Sequence, residues 1–166
     1  MGKQRTTNNE QRTLNESADS SFWTLQEGET TGRKFDLENR LLEFASAVID
    51  LSEKLPASRA GNHVAGQILR SGTSPFPNHG EAESAESRDD FIHKFKICLK
   101  ELRETRRWAR LIQTKGWAKN ETTLLFVLSE SEELIRIFMS SIKTVQLNAL
   151  KQKRPDSPRY PSTPAG

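Results

Sequence analysis

Apolar residues return every three or four positions along four stretches of the chain, with polar residues filling the turns between them. From Arg88 to Lys115, Phe91, Phe95, Cys98, Leu102, Thr105, Ala109 and Ile112 recur in alternating steps of four and three. That rhythm is the seam of a helix packed in a bundle. Upstream, Leu37, Leu41, Phe44, Val48, Leu51 and Leu55 keep the same spacing behind a candidate N-cap at Asp36, and Pro56 stops that helix. Downstream, Leu124, Leu128, Ser131, Ile135, Phe138, Ile142 and Val145 repeat it from a cap at Asn120 to about Leu150. The remaining stretch, from about Ser58 into Ser74, carries a narrower stripe through Val64, Ile68 and Leu69.

Gly72, Pro75 and Pro77 predict a kink or break in this second helix. Glu81 to Ser87 suits a helix again, so a bent second helix reaching about Glu86 is expected. Gly116 is a natural stop for the third. No segment alternates with the period of two that strands require. Three strong seams and one weaker seam, joined by short connections, define an all-α fold over residues 35–150: an antiparallel up-down four-helix bundle with helix 2 bent at its Pro-containing segment.

The flanks read differently. Residues 1–34 are rich in Thr, Asn, Gln, Glu and Ser and are expected to be disordered or loosely docked. Phe22-Trp23-Thr24-Leu25 is an apolar island within them, suited to docking on the bundle itself or, as the alternative, on a partner. Residues 151–166, with Pro155, Pro158, Pro161 and Pro164, are expected to form a disordered basic tail. The low mean hydropathy of −0.71 fits a chain with such tails.

Charge sharpens the picture because it is uneven. The net charge is only +3. Residues 88–115 hold nine basic and four acidic residues, while residues 35–54 hold two basic and five acidic ones. On the third helix, Lys96, Lys100, Arg103, Arg107 and Arg110 follow the heptad rhythm and centre opposite the apolar seam at about 100° per residue. Lys96 with Lys100 and Arg103 with Arg107 are like-charge pairs one turn apart, unfavourable in an isolated helix. Glu104 is placed to offset Lys100 and Arg107. Such a stripe needs solvent or an anion.

These residues carry a resemblance. FDLENRLLEFASAVIDLSEKLP (Phe35 to Pro56), GQILRSGTSPFPNHGEAESAESRDDFIHKFKICLKELRETRRW (Gly66 to Trp108) and the final helix resemble the bacterial four-helix-bundle protein family. That family includes proteins encoded in intervening sequences of the large-subunit ribosomal RNA gene and the accessory variability protein of diversity-generating retroelements. The most specific match is the order Arg-Ser, a Pro-containing bend, Asn-x-Gly-Glu, then Asp-Phe-Ile. The resemblance implies an up-down bundle. Through the retroelement members it also implies a cyclic, pentameric homo-oligomer whose positive surface binds nucleic acid and a reverse transcriptase. This sequence departs from the pattern in placing two prolines, Pro75 and Pro77, where the family's second helix is usually continuous.

Other chemistry finds little support. Cys98 is the single cysteine and sits on the apolar seam, which excludes intrachain disulfides and four-cysteine zinc sites. A di-iron bundle needs Glu-x-x-His on two helices, and Asp90-Phe-Ile-His93 is the lone carboxylate-x-x-His step, so no metal or cofactor is expected. No nucleophile elbow, P-loop, zinc-protease or dinucleotide motif occurs, and no catalytic residue is assigned. Trp108 and Trp117 suit the edge of the core or a subunit interface better than base stacking. In the break, Ser71, Thr73, Ser74, Asn78 and His79 suit satisfying backbone groups that the prolines leave unpaired, with anion binding at the following helix N-terminus as the alternative. No apolar run is long enough for a membrane span and no secretory signal opens the chain, so a cytoplasmic location is expected.

The sequence therefore points to a non-enzymatic accessory protein. Its partner would be RNA or DNA, held through phosphates by Lys96, Lys100, Arg103, Arg107 and Arg110. The alternative is an oligomeric protein-interaction scaffold whose stripe pairs with the first helix's Asp36, Glu38, Glu43 and Asp50.

Overall fold

The computed structural model describes residues 37–118 and 121–152. Among these residues all the regular structure is α-helical: α1 (Leu37–Glu53), α2 (Arg59–Thr73), α3 (Pro75–Glu83), α4 (Arg88–Lys115) and α5 (Glu121–Gln152). The expected caps at Asp36 and Asn120, and both expected tails apart from Lys151 and Gln152 at the end of α5, lie outside the described residues.

Local chemistry sets the helix ends. Ser58 caps α2 and Ser87 caps α4, each in extended conformation with its hydroxyl accepting from the backbone N–H three residues on, at 3.1 Å from Gly61 and 3.2 Å from Asp90. Asp89 and Asp90 lie in the first turn of α4, where the helix dipole favours negative charge. At the other end Gly116 adopts φ 62°. The N–H groups of Gly116 and Trp117 then donate to the carbonyls of Gln113 and Ile112, at 3.0 and 3.2 Å, closing the helix as anticipated. Beyond α1 the chain unwinds at Lys54, before Pro56 rather than at it.

The second helical region departs from expectation in a small but informative way. Only Ser74 separates α2 from α3, and its backbone remains right-handed helical at φ −61° and ψ −36°. Pro75 and Pro77 fall in the first turn of α3, where an absent N–H costs least. The Asn78 side chain donates to the Ser74 carbonyl at 2.9 Å, and Thr73 Oγ1 donates to the Leu69 carbonyl at 2.8 Å. The side chains of this segment thus bond to its backbone, but at carbonyls other than those of Ser71 and Thr73, which face the missing N–H groups of Pro75 and Pro77. The helix ends at Glu83, earlier than Glu86.

The core forms along the seams. Every seam residue expected on α4 is buried, and Leu41, Phe44, Val48 and Leu51 are buried on α1. Phe91 stacks on Phe95 at 4.1 Å between centroids, and Phe95 meets Phe138 of α5 at 4.8 Å. On α5 the expected Leu124, Ser131, Phe138, Ile142 and Val145 are buried, but two positions shift by one residue. Val127 and Leu134 are fully buried, whereas Leu128 and Ile135 are only half-buried. On α2, Leu69 is exposed, and Gly61, Ser71 and Gly72 join Val64 and Ile68 inside. The glycines allow close approach: a Cβ on Gly72 would sit 2.5 Å from Val48 Cγ1, and one on Gly61 would strike the Pro56 carbonyl.

Helix α4 packs against α5, α3 and α2, and α1 packs against the same three. Among the described residues, no Cα of α1 lies within 8 Å of one in α4. This separation keeps the acidic helix away from the basic one within the chain.

Candidate nucleic-acid interface

A helix whose apolar seam is buried on three neighbours must turn its opposite side outward. Lys96, Lys100, Arg103, Arg107 and Arg110 are all exposed on that side of α4. From Lys96 to Arg110 the stripe runs for about 21 Å at the rise of an α-helix.

Partners are sparse along it. Lys96, Arg107 and Arg110 form no ion pair among the described residues. Lys100 Nζ lies 3.5 Å from Glu101 Oε1 but is otherwise in solvent. Arg103 Nη2 faces Met139 Sδ of α5 at 3.4 Å, a weak acceptor. Glu104, offered by the sequence as a partner for Lys100 and Arg107, is engaged elsewhere. Arg70 of α2 bonds it at 2.5 Å and reaches buried Glu101 at 3.5 Å, while Trp108 Nε1 donates to Glu104 at 3.3 Å. The reason is lateral packing: α2 lies beside this flank of α4 and brings a fixed guanidinium to it. Arg70 therefore leaves the stripe with less compensation than α4 alone suggested.

The stripe has two parts. Arg103, Arg107 and Arg110 gather with Arg106 of α4 and Ile135 of α5 around a hollow of about 330 Å³. Lys96 and Lys100 are not in its lining. Arg106 was missed because it lies one residue off the heptad rhythm. Its steps of three from Arg103 and four to Arg110 were the available signal. Its guanidinium meets Glu132 of α5 at 3.2 Å.

Glu38, Glu43 and Asp50 are exposed on α1 and do not reach α4 within the chain, and Asp36 lies outside the described residues. Trp108 is half-buried, with its edge against His63 at 6.1 Å, and Trp117 lies under Lys115 Nζ at 5.9 Å. Neither belongs to the basic face.

The remaining reactive groups are in the core. Cys98 is fully buried and its sulfur donates to the Pro75 carbonyl at 3.5 Å; burial pushes the thiol up to about 12, so it stays protonated. His79, expected at a polar break, is instead 5% exposed and packs near Phe95 and Phe138. Burial lowers its pKa, against smaller opposing effects of Glu83 and Glu38. Among the described residues no group of three His, Cys, Asp or Glu side chains is arranged to hold a metal, and no helix is long and apolar enough to cross a membrane.

Fold and surface together define an all-helical protein with a basic exposed face. Residues 33–140 match the family model for 23S rRNA-intervening sequence proteins, and the chain belongs to that family. It is similar to the crystal structure of a protein of unknown function from the S23 ribosomal protein family of Bacteroides thetaiotaomicron. The two are 37% identical with a TM-score of 0.57, over 64% of this chain and 97% of that one. No curated protein matches the chain.

Proposed function

We propose that the chain is a non-enzymatic RNA- or DNA-binding accessory protein, built as an antiparallel up-down bundle, that holds phosphates on the outward face of α4. The observation that carries this reading is the run of exposed cations with few partners among the described residues: Lys96, Arg107 and Arg110 in no ion pair there, Lys100 mostly in solvent, Arg103 against a thioether. Membership in a family named for 23S rRNA intervening sequences supports a nucleic-acid setting. Contacts to phosphate carry no base readout, so binding is general in sequence and steeply dependent on salt. A homo-oligomer would lengthen the basic surface by repeating it, and a nucleic-acid enzyme such as a reverse transcriptase would meet the protein on the shared strand. A cytoplasmic setting suits this reading.

Anisotropy of labelled RNA and DNA strands, titrated at several salt concentrations, tests it. Five phosphate contacts give a log–log salt slope of about −3.5 on single strands and about −4.5 on B-form duplex. Reversing Lys96, Lys100, Arg103, Arg107 and Arg110 to Glu should abolish binding while circular dichroism still reports a folded helical protein. Absence of binding at low salt, or equal binding by the folded variant, would sink the reading. It would favour instead a scaffold whose α4 cations meet the exposed α1 acids of another subunit.

A further inference from the structure

The two halves of the basic face differ in shape, and shape decides which phosphate each half can hold. Lys96 and Lys100 are compact charges on long stems at the open surface, suited to following a strand's backbone. The arginines surround a concavity. Arg103, Arg106, Arg107 and Arg110 line a half-open hollow of about 330 Å³ together with Ile135. We propose that this hollow seats the terminal phosphate of a nucleic-acid strand, a phosphomonoester, in preference to the diesters within it. The assignment rests on the nucleic-acid reading of the face and deepens it.

Three observations carry it. First, among the described residues the four guanidiniums meet the compensating carboxylate of Glu132 alone, which leaves about three positive charges unmatched there. An internal diester supplies one negative charge, whereas a terminal phosphate carries between about 1.5 and 2 near neutral pH, with three strong acceptor oxygens. Second, guanidinium forks match phosphate oxygens in pairs, and several arginines around one hollow suit a single highly charged group better than a line of diesters. Third, the volume is at the small end of pockets that hold discrete ligands. Ile135 and the exposed Met139 beside Arg103 offer apolar surface to the terminal sugar and base.

Glu132 makes the proposal sharper. Its carboxylate lies 3.2 Å from Arg106 and occupies a donor that the phosphate would use. Both side chains are partly exposed, at 38% and 51%, so an incoming dianion can displace the carboxylate.

The test is anisotropy on single strands of one sequence carrying a 5′-phosphate, a 3′-phosphate or hydroxyls at both ends, with the dye internal. A terminal phosphate should tighten binding about tenfold, the effect of one further charged hydrogen-bonding group. Arg107→Gln with Arg110→Gln should bring that ratio close to one. Lys96→Gln with Lys100→Gln should weaken all strands alike and keep the ratio. Glu132→Gln should raise it. Free nucleoside monophosphate should remove the increment and leave hydroxyl-ended binding intact. Equal affinity for phosphate-ended and hydroxyl-ended strands, with binding and its salt dependence retained, would overturn the hollow's role and leave the basic face standing. Loss of all binding would overturn both. A ratio unchanged in the folded arginine variant would place the preference elsewhere, and saturation by the free nucleotide at the same concentration as by the strand would assign the hollow to mononucleotides instead.

Discussion

The seam and the outward face of α4 share one backbone and one rhythm, yet their neighbours treat them in opposite ways. Phe91, Phe95, Cys98, Leu102, Thr105, Ala109 and Ile112 each meet α2, α3 or α5 and lose their water. Lys96, Arg107 and Arg110, half a turn away, meet nothing of opposite charge among the described residues. Even the single polar seam position is accommodated: Thr105 Oγ1 lies 2.8 Å from the Glu101 carbonyl and 3.0 Å from Ser71 Oγ. Buried hydroxyls without such partners would be costly. The contrast locates stability on one side of the helix and leaves the other side's charge available to a partner.

Substitutions on the two sides should separate these roles. The largest effect belongs to the core. Phe138 is fully buried between Phe95 and His79, so Phe138→Ala should cost about 3–5 kcal/mol by urea denaturation. A smaller loss would mean that the aromatic cluster is less tightly packed than described.

Gly72→Ala comes next. Its Cβ would press on Val48, a β-branched side chain with little freedom to turn, and about 1–3 kcal/mol should be lost. Val48→Ala in the same chain should recover part of that loss, and strict additivity would argue against direct contact.

Acid should act through His79. An unfolded His79 takes a proton near pH 6.5, while the folded site resists it to lower pH because burial disfavours the imidazolium. The unfolded state then binds more protons, so stability present above about pH 6.5 declines as pH falls through that value towards the folded pKa. His79→Phe should flatten this part of a pH–stability curve.

The smallest stability effect should be on the outward face. Arg107→Glu should change stability by no more than about 0.5 kcal/mol, since no ion pair is broken, while weakening nucleic-acid binding. A large loss of stability there would dissolve the division between the faces.

The α4 seam was legible because the basic residues gather on the opposite side of the helix and so fix its phase, even though Ile92, Ile97, Leu99 and Leu111 adjoin seam positions. The α5 seam was legible at Leu124, Ser131, Phe138, Ile142 and Val145 but not at Leu128 and Ile135. Val127 adjoins Leu128 and Leu134 adjoins Ile135, and periodicity cannot choose between apolar neighbours. A strict heptad reading also drifts by about 20° per heptad from a straight helix, enough to rotate the selected residue. The same ambiguity made Leu69 look buried beside Ile68.

The five stripe residues were readable as exposed for the same geometric reason as the seam. Their pairing was not, because Arg70 lies 31 and 34 residues before the two acids it binds. The hollow too needed α5, which brings Ile135 and Glu132 beside the arginines.

By itself the sequence determined where the helices lie, which side of α4 is buried and where positive charge collects, because these depend on periods and caps within a turn or two. Tertiary structure decided which of two adjacent apolar residues faces the core, that the prolines open α3 instead of breaking it widely, that His79 is buried, and that Arg70 takes Glu104 from the stripe. Those outcomes depend on which helix lies beside which, and local spacing carries no term for a neighbour thirty residues away.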